Sequence, residues 1–159
     1  MRKILLISPG KLKEKYLRDA AAEYEKRLSR YCDLTVLEPE PSRLPEQPSD
    51  AEISAALERE ADAILKKIPA DAYCIALCVE GKPLSSEAFA KRLFAPEVQE
   101  RRTVFVIGSS YGLSDRVKAR ADLRLSVSEM TFPHQLFRVM LLEQIYRAFR
   151  INEGASYHK

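Results

Sequence analysis

The sequence has no tryptophan, five glycines and two histidines, His134 and His158. It has no Gly-x-x-x-x-Gly-Lys-Ser/Thr phosphate loop and no Gly-x-Gly-x-x-Gly dinucleotide fingerprint. It also has no Gly-x-Ser-x-Gly nucleophile elbow and no His-Glu-x-x-His pair. With so few histidines, a metal-dependent or Ser-His-Asp mechanism has little to draw on, and no metal is expected. The three cysteines, Cys32, Cys74 and Cys78, are an odd set without a secretion signal. They read as free thiols of a reducing, cytoplasmic compartment rather than a disulfide framework. Cys74 and Cys78 lie four apart in an apolar run, which would place both on one face of a strand. No second Cys/His pair lies near enough to make them a zinc site. No apolar run approaches the roughly 20 residues of a membrane span. The apolar stretch at residues 4–7 is too short for a signal peptide and reads as a first β-strand.

What is present is ordinary globular material. The chain has 159 residues, 46% hydrophobic and 31% charged, which suits one domain over 1–159 with a real core and excludes disorder. The net charge of +3 decides little, but its distribution is uneven. Residues 1–31 hold nine Lys/Arg against four Asp/Glu, and residues 38–62 hold two against eight. Such asymmetry fits either a phosphate-attracting face or an ordinary solvated helix surface.

Strand signals recur at residues 2–8, 34–38, 72–79, 103–107 and 123–127, with helical patterns between them. Leu17, Ala21, Tyr24, Leu28 and Tyr31 step by four and three, as do Ile53, Leu57, Ala61, Ile64 and Ile68. Pro39, Pro41, Pro45 and Pro48 mark a loop, Ser49 or Asp50 a helix start, and Lys82-Pro83 a break. Ser85 can cap a short helix through Phe94, and a further short helix opens at Ser114. The alternation predicts an α/β fold with a mostly parallel sheet and helices on both faces. The runs at 74–79 and 104–107 are apolar on both faces, as in covered central strands. Leu123, Leu125 and Val127 alternate with Arg124 and Ser126, as in a half-exposed edge.

The last helix, from Leu136 to Ile151, is apolar well beyond one stripe and must bury more than one side. The expectation is a homodimer in which a second copy covers it; the alternative is a central helix within one core. Three strand-end loops could converge on a ligand: Glu80-Gly81-Lys82-Pro83, Gly108-Ser109-Ser110-Tyr111-Gly112 and residues 128–134. Leu77, Met130 and Phe132 would supply apolar walls and backbone groups the polar contacts. The tail ends Tyr157-His158-Lys159, a ring, an imidazole and a cation that suit RNA. Its alternative is a frayed end. On the residues alone, an enzyme, a non-catalytic RNA-binding module and a nucleotide-binding signalling protein all remain open.

Several segments occur together and in order. They are Gly10-Lys11-Leu12-Lys13-Glu14, Leu77-x-x-Glu80-Gly81-Lys82, Ile107-Gly108-x-x-Tyr111-Gly112-Leu113-Ser114, Met130-Thr131-Phe132-Pro133-His134-Gln135-Leu136-x-Arg138 and Tyr157-His158-Lys159. With them, essentially the whole chain resembles the ribosomal RNA large-subunit methyltransferase H family of the SPOUT superfamily. The resemblance implies methyl transfer from S-adenosylmethionine to N3 of a pseudouridine in helix 69 of 23S rRNA, within the ribosome. It also implies a homodimer, a cytoplasmic setting and a C-terminal trefoil knot, which general topology rules would not have suggested. By the same resemblance, the cofactor lies against Leu77, Gly108 and Val127, Ser128, Glu129, Met130, Thr131 and Phe132. His158 is a candidate proton acceptor, Arg138 a candidate orienter of RNA, and Tyr157 their companion. His134 would shape the pocket or the dimer interface. Lys11, Lys13, Lys15 and Arg18 would add RNA contacts. Two positions depart from the family pattern: Ser109 stands where a second glycine is usual, and Ser156 where proline usually precedes Tyr-His.

Overall fold

A computed structural model describes residues 1–157. Its elements are β1 (Arg2–Ile7), α1 (Lys15–Leu28), β2 (Cys32–Leu37), α2 (Asp50–Leu65), β3 (Tyr73–Pro83) and α3 (Ser86–Leu93). They continue with α4 (Pro96–Gln99), β4 (Thr103–Val106), α5 (Asp115–Arg120), β5 (Leu123–Ser126) and α6 (His134–Asn152). Helix starts follow local chemistry. Ser49 opens α2 with a capping box, accepting from the Glu52 N–H while the Glu52 carboxylate accepts from its own. Ser85 and Ser114 cap α3 and α5 in the same position.

The strands form one all-parallel sheet in the order β2-β1-β4-β3-β5. β4, whose four residues are all buried, is the central strand. β5 is an edge, and its exposed Arg124 between buried Leu123 and Leu125 explains the alternation in the sequence. Each apolar face of the sheet has its own core. Leu6, Ile75 and Phe105 meet the buried sides of α1, α3 and α6. Ile7, Cys74 and Val106 meet Ala61 and Ile64 of α2 and Val117 of α5.

One strand differs from the sequence expectation. β3 runs on to Pro83 rather than stopping at Val79. Its pairing with β5 goes from Leu77↔Leu125 to Lys82↔Leu125, so residues 78–81 bulge out of the ladder. β4 pairs with β3 only as far as Ala76, so Pro83 faces no demand for an N–H on that side. A Cβ on Gly81 would lie 2.8 Å from the backbone of Arg124 and Leu125, so glycine is what lets the bulge close. The bulge also separates the two thiols: Cys74 is buried in the core and Cys78 is part-exposed.

α6 is covered on more than one side. Leu141, Leu142, Ile145, Tyr146, Ala148 and Phe149 are buried within this chain, against α1, α3 and the sheet. The breadth of its apolar surface is thus largely that of a helix seated between two others. Leu136, at 36% exposure, remains at the surface.

Candidate functional site

The carboxyl ends of β3, β4 and β5 open onto a cavity of about 750 Å³, a size typical of cofactor sites. Leu77 and Ile107 line it at the ends of their strands. Residues 108–113 form one wall, and Val127, Ser128, Met130, Thr131 and Phe132 another. His134 and Phe137 complete it from the start of α6. Val79, Tyr111 and Met130, which are 53%, 47% and 75% exposed, all line it. Apolar side chains left in water around one concavity mark a surface built for a ligand.

Each wall has a local cause. In the 108–112 loop, Gly112 has φ of +85°, and its N–H donates to the Ser109 carbonyl at 2.9 Å. Gly108 lies against this fold-back: a Cβ there would collide with the Gly112 backbone. Gly108 therefore serves the loop's closure before any contact with a ligand. The Ser109 hydroxyl turns to the protein and donates to Glu60 Oε1 of α2 at 2.7 Å. Glu60 is 7% exposed, and its Oε2 accepts from the Ser42 N–H at 3.0 Å. One carboxylate thus ties the glycine loop to the proline-rich loop after β2. Opposite, Ser126 Oγ donates to the Ser128 carbonyl, and Ser128 Oγ accepts from the Met130 N–H at 2.9 Å, fixing the turn after β5.

Charge is sparse in the cavity. Lys118 of α5 forms an ion pair with Glu80 of the β3 bulge, and this partner holds the Glu80 carboxyl below its usual range. The His134 imidazole is pushed down, first by burial and then by the charges of Arg138 and Lys13. Burial and these charges therefore favour its neutral form and make it a weaker base than a free imidazole.

Of the expected cofactor residues, Leu77, Gly108, Val127, Ser128, Met130, Thr131 and Phe132 line this one cavity, while Glu129 is exposed and does not. Arg138 does not line it either. The residue is 4% exposed; Nη1 donates to Glu38 at 2.6 Å and Nη2 to the Gly10 carbonyl at 2.8 Å. It fastens α6 to the loops after β1 and β2. Tyr157 lies toward the other end of α6, its ring 5.1 Å from Tyr146 and 4.8 Å from the Arg147 guanidinium. His158 lies outside the described residues. Sequence reasoning missed Phe137, Lys118 and the Glu60 tie. The first two sit at unremarkable helical positions, and the third joins residues 49 apart in the chain. Among the described residues, no group of three His, Cys, Asp or Glu side chains could hold a metal ion. No helix among them is long and apolar enough to cross a membrane.

Residues 2–158 match the family described as "Predicted SPOUT methyltransferase". The chain is 50% identical over 157 residues to the ribosomal RNA large subunit methyltransferase H of Clostridium acetobutylicum, covering 98% of this chain and 99% of the relative. It is 49% identical to the protein of the same name from Clostridioides difficile, with the same coverage. Among solved structures, a probable methylase family protein from Haemophilus influenzae superposes with a TM-score of 0.55 at 14% identity. That match covers 99% of this chain and 70% of the other, and it supports the fold alone. A five-stranded parallel sheet with a cavity at its carboxyl edge, joined to a sequence match from residue 2 to residue 158, makes this chain a member of the SPOUT methyltransferase family.

Proposed function

We propose that the protein transfers a methyl group from S-adenosylmethionine to N3 of a pseudouridine in helix 69 of 23S rRNA, acting in the cytoplasm on assembled ribosomes. The observation that carries this is near-half identity, end to end, with relatives named for methylation of large-subunit ribosomal RNA. The trefoil knot is taken from the same membership. The cavity fits the cofactor. It is large enough, its walls offer apolar side chains for a flat ring, and its two turns bring backbone N–H and C=O groups to the rim. Leu77, Gly108, Val127, Ser128, Met130, Thr131 and Phe132 would hold the cofactor, which supplies an electrophilic methyl group and needs no metal to activate it.

The chain's own residues then have two tasks. They must hold N3 in line with the methyl group and accept its proton. His134 lines the cavity and is one candidate to take that proton; His158 of the tail is the other. Lys13 lies near His134, its N–H donating to the Gln135 side chain at 3.0 Å, and Lys11 remains a candidate RNA contact by the family resemblance. Lys15 is paired with Asp19 within α1, and Arg18 donates to the Leu12 and Lys13 carbonyls, holding the loop before the helix.

The protein acts as a homodimer in this reading. Tyr157 packs toward the far end of α6 from the chain's own cavity, so a tail that takes part in catalysis serves the cavity of a second copy. Incorporation of labelled methyl groups into intact ribosomes, compared with protein-free rRNA, tests the function. Calorimetry with S-adenosylmethionine tests the site. Incorporation confined to ribosomes supports the reading. RNA binding without any cofactor binding would instead leave an RNA-binding module.

A further inference from the structure

A second concavity shares no residue with the cavity. It is a shallow groove of about 250 Å³ where the C-terminal ends of α1 and α6 run side by side. Lys26, Arg27, Arg30 and Arg150 line it against one carboxylate, Glu23, and Tyr31 and Tyr146 provide ring surface.

The cations are of two kinds. Arg27 is fixed: it bonds to Glu23 at 3.1 Å and lies 5.2 Å and 5.6 Å over the rings of Tyr24 and Tyr146. Arg150 is fixed likewise, donating to the Tyr146 hydroxyl at 2.8 Å, pairing with Glu153 at 2.8 Å and lying 5.6 Å over the Tyr157 ring. Lys26 and Arg30 are exposed and have no ion pair among the described residues. A frame of held guanidinium groups and rings, edged by two unneutralised cations, matches an anionic polymer whose units also carry flat rings. Tyr157 continues the same surface into the tail.

We propose that this groove seats the sugar-phosphate backbone of the RNA substrate, with Lys26 and Arg30 as its phosphate contacts. This rests on the RNA-methyltransferase reading but adds a docking surface outside the cavity. The contact is to backbone, so it adds affinity without base specificity.

The test uses the full chain and a double charge reversal, K26E/R30E, at two exposed positions. Binding is measured to intact ribosomes and to a short single-stranded RNA of mixed sequence, across a salt series. The expected result is about tenfold weaker binding to both at physiological salt. The slope of log affinity against log salt should shrink by about 2, roughly one per lost phosphate contact. S-adenosylmethionine affinity and sedimenting mass should not change. The milder K26Q/R30Q pair should show the same changes at smaller size, and keeps the test valid if charge reversal disturbs α1. Unchanged RNA affinity and salt slope in variants that still bind cofactor would overturn the proposal. So would a change in sedimenting mass, which would make the groove a contact between copies. If the unmodified protein binds RNA through this groove but transfers no methyl group, the docking surface stands and the catalytic reading falls. If it methylates ribosomes and the variants do so equally well, the reverse holds.

Discussion

Glu60 and Ser109 show how one hydroxyl can join two loops. The Ser109 hydroxyl is the donor to Glu60 Oε1, and the carboxylate is almost wholly buried. Ser109→Ala leaves that oxygen without its partner and should cost about 1–3 kcal/mol in denaturant unfolding. Ser109→Gly should cost at least as much, since it also removes the hydroxyl and frees the backbone. At Gly108, a side chain meets the Gly112 backbone, so Gly108→Val must open the loop. Cofactor affinity measured by calorimetry should fall at least about tenfold, the equivalent of some 1.4 kcal/mol. The far-UV spectrum should be kept, since neither core includes residue 108. His134 gives a pH prediction. Its folded pKa lies below its usual 6.5, so the unfolded chain binds the extra proton more readily. The stability this group contributes is complete above about pH 6.5 and is lost as pH falls through the lower folded value. His134→Gln should flatten that part of the stability-pH curve, read from denaturation midpoints between neutral and mildly acid pH.

At the scale of elements, α6 separates what burial means from what assembly means. Leu142 is fully buried, so Leu142→Glu should unfold the chain and says nothing about a partner. Leu136 is the large apolar residue of α6 left at the surface. Leu136→Glu should keep the fold and halve the sedimenting mass if this face joins two copies. The apolar breadth of α6 was plain in the sequence, yet the sequence does not show that α1 and α3 flank it on either side. The parallel strands, the serine caps and the edge character of β5 were legible because each is written in neighbouring residues. The extension of β3 through Pro83 was not, since Pro83 is tolerated only because β4 has already ended. α4, a four-residue helix, carries too little periodicity to be seen. For the site, glycine scarcity pointed to the 108–112 loop. Arg138, however, was expected to orient RNA, and its buried pairing was hidden because Glu38, its partner, is 100 residues away in sequence.

For the whole molecule, the tail and the cavity belong to different regions of one chain. Removing residues 157–159 takes away the Tyr157 ring and its contacts with Tyr146 and Arg147, worth about 0.5–1.5 kcal/mol for an aromatic pair. The melting point should drop by a few degrees and the sedimenting mass should not change. Single-turnover methylation of ribosomes should fall sharply. Full activity of the truncated protein would leave His134 as the proton acceptor.

The strand order has a consequence for how the protein is made. β1 pairs with β2 on one side, but its other side waits for β4, with Ile4 against Thr103. The central strand is thus supplied only after nearly two-thirds of the chain exists. Until then β1–β2 and β3 are separated pieces with open edges, and closing so long a loop is entropically slow. A nascent chain emerging from the ribosome cannot assemble the sheet as it is synthesised, and it exposes unpaired apolar strands for most of its translation. Speed of synthesis and access to chaperones should therefore govern the yield of this protein more than its final stability does.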